Sequence, residues 1–282
     1  MVWGSMIAWY LFLAGASAGA FLTSAFVEAK YPDSVKMRVA GRIISPIFLG
    51  IGLLMLMLDA EAGLHNPLRF FYLIMNPGSV MICVFMPVSI AAALLEVLRR
   101  PVPKWLTWTG IVSAFCVAAY TGFLLGVVSA YPLWNNAILP VLFVVSALSA
   151  GLAATSLVGL ITDRERFEQM WLIKKSHVIL SAIEMVVLAT MLIIVSSGSP
   201  EGAASVASLV SGQYAPMFWG GLVLLGLVAP FAIEGYPVFV TRKVETSTTS
   251  MVVSVIGEGG VLVGGFMLRL LVILAALPVL YL

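Results

Sequence analysis

The chain has 282 residues, 61% of them hydrophobic and only 10% charged, with a mean hydropathy of +1.09. A water-soluble domain carries about 25% charged residues, so an ordinary soluble core is excluded. The net charge of +2 says little alone, and no nucleic-acid partner is expected. Long apolar runs between short polar segments point to several transmembrane helices. No sustained alternation suggests the strands of a barrel.

In chain order the spans fall at about 5–27, 40–58, 78–98, 105–129, 138–161, 175–196, 214–240 and 251–280. The first has no basic leader, and we read it as a retained helix rather than a cleaved signal. Its AGASAGA stretch, 14–20, suits close helix packing; a dinucleotide fingerprint would need a strand and a tight turn in water. Pro46, Pro87 and Pro230 fall inside spans and are expected to bend them. The connections 59–79 and 131–140 are rich in aromatic and turn residues, and the segment after the sixth span carries almost no charge. They read as interfacial belts or as a docking surface. Cys83 and Cys116 both lie in apolar runs and read as packing residues.

Loop charge sets the orientation. The odd-numbered connections and their flanks hold 13 of the 15 basic residues, while the even-numbered ones hold only Arg69. The positive-inside rule places the odd connections in the cytoplasm and both termini on the outer, periplasmic side. The expected fold is an all-α polytopic membrane protein, a bundle of eight transmembrane helices.

A few ionisable residues lie deep in these spans: Glu184, Glu234, Glu258 and Arg269. Each is costly in hydrocarbon and asks for a partner, water or a ligand. His177 and Glu184 are seven residues apart, so they share a helix face about 10 Å apart along the axis. Glu258 and Arg269 also share a face, but at about 16 Å they cannot pair directly.

Five segments together resemble one family. They are YLFLAGASAGAFL at 10–22, LMLDAEAGLHNPLRFFYLIMNPGSVM at 56–81 and YTGFLLGVVSAYPLWNNAILPVLFVVSALSAG at 120–151. SHVILSAIEMVVLA at 176–189 and GGVLVGGFMLRLLVI at 259–273 complete the set. The chain resembles the NrfD/PsrC family, the integral membrane subunits of polysulfide-reductase-like respiratory complexes, as one domain over 1–282. The resemblance implies a quinone-reactive subunit in a bacterial or archaeal cytoplasmic membrane, using exchangeable menaquinone or ubiquinone. It implies an outward-facing iron–sulfur electron-transfer partner, an external molybdopterin or multihaem catalytic subunit, and membrane lipid around it. No haem or iron–sulfur cluster is expected in this chain: its two histidines lie near opposite faces and its cysteines form no cluster motif.

On that reading Tyr10, Asp59, His65, Tyr120 and Asn135 lie near the outer ends of their helices or in outer connections, where a quinone headgroup needs donors and proton exchange. Tyr120 and Asp59 stand inside the matched YTG and LD segments; as alternatives they read as an interface anchor and a helix-end brace. Some family members carry a histidine near the outer part of the first helix. Here MVWGSMIAWYLFLAG has none, and His65 from the following outer loop is the substitute considered. Arg269, in the outer half of the last span, is read as pairing a carboxylate such as Asp59, supporting a quinone oxygen or bracing the bundle. His177, Glu184, Glu234 and Glu258 are read as a proton route nearer the cytoplasm, or as neutral hydrogen-bonding pegs. Two other functions stay open: a secondary transporter using the buried carboxylates, and a non-catalytic structural anchor.

Overall fold

The computed structural model describes residues 4–59, 77–236, 239 and 248–279, and every regular element among them is helical. The elements run α1 (Ser5–Lys30), α2 (Val35–Asp59), α3 (Pro77–Val97), α4 (Lys104–Gly126) and α5 (Ile138–Thr162). A short α6 (Arg164–Glu168) leads into α7 (Trp171–Gly198) and α8 (Pro200–Val210). A π-helix, π1 (Met217–Val228), continues directly into α9 (Ala229–Tyr236), and α10 (Thr248–Leu274) closes the described fold. Among the described residues eight helical stretches are long and apolar enough to cross a membrane, π1 and α9 together making the seventh. The chain is a multi-pass membrane protein.

Two helices start well before the points read off hydropathy. Helix α2 begins at Val35 and α7 at Trp171, so Lys36, Arg38 and Lys174 stand on helices rather than in loops. Charged residues lower a hydropathy average without breaking a helix, since Lys and Arg are good helix formers. The low-charge segment after α7 also forms a helix, α8. Ser199 caps it by accepting from the Gly202 amide at 3.0 Å, and Pro200 occupies its first turn, where no amide is needed.

Helix α1 is the centre of the bundle, packing against α2, α4, α5 and α10. Its most apolar stretch is 89% buried, against 33% for that of α2. Its small residues explain that position. A Cβ at Gly19 would overlap the Ala147 carbonyl of α5, and one at Gly151 would overlap the Gly19 backbone. The two helices meet backbone to backbone, as small residues allow in a membrane where no hydrophobic drive separates helix from lipid.

Pro46 removes one backbone bond from α2, and next to it Ser17 of α1 donates to the Ser45 carbonyl at 2.7 Å. Span seven is less regular. Its π1 section lies against α10, where a Cβ on Gly226 would meet Gly264 Cα. Pro230, with no amide hydrogen to donate, stands just beyond its end.

Candidate functional site

The buried ionisable residues form two clusters rather than one row. The first lies toward the face that carries the short basic connections. His177 of α7, a turn and a half from the start of its helix, places Nε2 3.1 Å from Ser156 Oγ of α5. The same nitrogen lies 3.1 Å from Glu258 Oε1 of α10. That approach lacks hydrogen-bond geometry, and neither Glu258 oxygen has a hydrogen-bond partner among the described residues. Glu234 at the end of α9 is within electrostatic range of Glu258. All three side chains are buried.

The second cluster sits deeper. Arg269 of α10 is fully buried; its Nη1 donates to Ser146 Oγ and to the Gly265 carbonyl, each at 2.7 Å. Ser146 also bonds Glu184, which feels the guanidinium as its counter-charge. The guanidinium lies 5.1 Å from the Phe143 ring centroid and 5.9 Å from that of Phe12, a cation–π setting on both sides. Gly15 of α1 makes the berth: a Cβ there would stand 3.1 Å from Arg269 Nη2. Glu184 is therefore joined to Arg269, not directly to His177, while Glu234 and Glu258 stay with the histidine.

Further buried hydroxyls stand on the helices that carry the two clusters. On α7, Ser181 falls between His177 and Glu184 at helical spacing that puts all three on one face. On α5, Ser146, Ser149 and Ser156 are all buried. Sequence reading passes over these serines because a lone serine in an apolar span carries no pattern.

Toward the opposite face, Tyr10 of α1 is almost fully buried and lies within electrostatic range of Tyr120 of α4. The Tyr120 ring rests against Gly78 at the start of α3, where a Cβ would overlap it. Asp59 ends α2 beside the beginning of α1, its Oδ1 3.6 Å from where a Cβ on Gly4 would stand. Asn135 lines a separate cavity of about 280 Å³ with Ser129, Gly198 and Ser199. His65 lies outside the described residues. The 127–137 connection is held firmly: Trp134 Nε1 donates to the Val272 carbonyl at 2.7 Å, and Asn136 Oδ1 accepts from the Ile138 and Leu139 amides.

The likeness to known proteins extends along most of the chain. A family model described as "Polysulphide reductase, NrfD" matches residues 1–280. The chain belongs to the NrfD family. The C subunit of polysulfide reductase from Wolinella succinogenes is 30% identical over 269 residues, covering 83% of each protein. Protein NrfD of Escherichia coli is 28% identical over 315 residues, covering 98% of this chain and 95% of that protein. The NrfD homolog of Haemophilus influenzae is 25% identical over 312 residues, covering 98% and 94%. Membership gives the chain the general role of a membrane-anchor subunit and is consistent with a bacterial or archaeal inner membrane.

This NrfD-family protein also has a buried charge that sequence reading leaves at a loop flank. Arg42 of α2 is fully buried: Nε donates to Ser24 Oγ at 3.0 Å and Nη2 to Glu28 Oε2 at 2.5 Å. Its guanidinium lies 4.8 Å from the Phe21 ring centroid, and Nη1 has no hydrogen-bond partner among the described residues. One turn earlier Arg38 pairs with Glu96 of α3 at 2.9 Å. The signal was the i, i+4 spacing of Arg38 and Arg42, which puts both on one helix face. Among the described residues no cluster of His, Cys, Asp or Glu could hold a metal ion, and Cys83 and Cys116 are free thiols.

Proposed function

We propose that this chain is the quinone-reactive membrane anchor of a multisubunit respiratory oxidoreductase, with 1–282 forming one transmembrane domain. The observation that carries the reading is the family match across residues 1–280. The basic bias of the odd connections puts that face in the cytoplasm and both termini outside. The partners are an outward-facing iron–sulfur subunit and, beyond it, a molybdopterin or multihaem catalytic subunit. The presence of a polysulfide reductase subunit among the relatives supports such an assembly.

The exchangeable group is menaquinone or ubiquinone, which supplies a two-electron, two-proton couple when bound. The donor chemistry fits: Tyr10 and Tyr120 stand within electrostatic range of each other between apolar helices, and Asp59 ends α2 toward the same face. Tyr120 and Asp59 would exchange protons with the headgroup and Tyr10 would shape and orient the pocket; Asn135, which lines a separate cavity, and His65, outside the described residues, are proposed as further contacts. Arg269 and Glu184 form a charged pair inward of it, so that Glu184 relays protons while Arg269 holds its carboxylate in place. On the cytoplasmic side Glu234, Glu258 and His177 take up protons, and the buried serines of α5 and α7 bridge toward Glu184. Anaerobic mixing of the purified complex with quinol, or of its reduced form with quinone, tests the assignment through the redox state of the iron–sulfur partner.

One observation favours a second reading, a secondary transporter: the irregular π1–α9 span ends beside the buried acid Glu234. Solute-dependent proton flux in vesicles holding the chain without its redox partners would favour it.

A further inference from the structure

A groove separate from the clusters above opens on the lipid-facing side, toward the basic face. Helices α1, α4, α5 and α7 bound a cavity of about 800 Å³, within the range of pockets that hold drug-sized ligands. Its walls are apolar, with Leu22, Phe26, Ile111, Phe115, Leu148 and Leu180 among them. Polar groups gather at one end: Glu28 and Ser176, with Lys104 and Thr107 from the first turn of α4. From Lys104 to Phe115 the helix rises about 16 Å, close to half of a hydrocarbon core about 30 Å thick. The groove is as deep as one leaflet.

Charge at the mouth selects among single-leaflet amphiphiles. Glu28 is engaged by Arg42 at 2.5 Å, whereas Lys104 is exposed and unpaired among the described residues. No side chain caps the start of α4, where Pro103 precedes Lys104; the Leu106 and Thr107 amides return to the Pro103 carbonyl, which leaves those of Lys104 and Trp105 for a ligand at the same end of the groove. Trp105 and Trp108, both exposed on α4, mark the level of the headgroups.

We propose that this groove is a binding site for an anionic phospholipid, one acyl chain lying between α1, α4, α5 and α7 and the phosphate resting on Lys104 and the start of α4. The site is independent of the quinone assignment and holds whichever face of the membrane is cytoplasmic. Native mass spectrometry of the delipidated full-length protein, titrated with phosphatidylglycerol and with phosphatidylcholine, tests it. The expected result is one tightly held phosphatidylglycerol per chain, preferred about fivefold, the effect of one basic side chain at a lipid surface. Lys104→Gln, at an exposed position, removes the preference, and Leu148→Trp, which fills the groove, weakens both lipids. Equal retention of the two lipids by the unaltered protein would overturn the proposal. So would a preference that survives both substitutions, or displacement of the lipid by menaquinone with an affinity that Lys104→Gln does not change.

Discussion

Arg269 and Glu184 come from helices far apart in sequence and meet through a single hydroxyl, that of Ser146. Neither charge is reached by solvent. A buried pair of this kind contributes little as a pair, but removing one partner leaves the other charge stranded. Arg269→Leu is therefore expected to destabilise the protein by about 3–5 kcal/mol, and the double variant Arg269→Leu with Glu184→Gln by less than that single change. Thermal unfolding of the detergent-purified variants in a double-mutant cycle measures the difference. Simple additivity of the two changes would show that the pair is not coupled.

The α1–α5 contact makes a sharper structural prediction. Gly19→Ala places a methyl group on the Ala147 carbonyl, with two backbones in contact and no flexible side chain to move aside. We expect a loss of about 1–3 kcal/mol, the range for overpacking, read as a lower unfolding temperature and folded yield. Gly198→Ala is the control: nothing lies within 4 Å of its added carbon. Its stability should be unchanged.

Tyr120 is predicted to act through its hydroxyl and its placement. Tyr120→Phe should lower quinone affinity or quinol turnover by about tenfold, the value of one good hydrogen bond. Gly78→Ala should reproduce the defect without touching the hydroxyl, because the new methyl group displaces the ring. Steady-state kinetics of the complex with a soluble quinol analogue measures both variants. Unchanged turnover in Tyr120→Phe would remove the hydroxyl from the reaction.

Eight spans were legible because apolar runs of this length, in a chain with 10% charged residues, fit little besides a membrane crossing. Helix α8 was legible in principle: Ser199 followed by Pro200 and Glu201 is a helix start, masked because the segment joins two spans. Buried ionisable residues were found one at a time, since each stands out against hydrocarbon. Their partners were not. Ser146 joins Arg269 to Glu184 across three helices, and no local spacing encodes that meeting. Arg42 was hidden for the opposite reason: it sits among other basic residues near a helix start, where charge reads as solvated. The π-helical section of span seven leaves no periodic mark that composition could reveal.

The inner cluster should govern protons without governing quinone binding. Glu258→Gln removes the carboxyl beside His177, a carboxyl with no hydrogen-bond partner among the described residues, and keeps its shape. Proton uptake from the basic face, followed by a pH dye inside vesicles during turnover, should slow by about a hundredfold, the low end for a positioned acid–base group. Quinone affinity should hold. Equal slowing of both would assign Glu258 to packing.

We propose that this chain brings quinone and the iron–sulfur partner into electronic contact. Rapid anaerobic mixing of the purified native complex with quinol or quinone, with the iron–sulfur signal followed by electron paramagnetic resonance, tests it most directly. The signal should change within a turnover in the native complex and fail to change when this chain is removed. A partner that exchanges electrons with quinone at the same rate without this chain would contradict it.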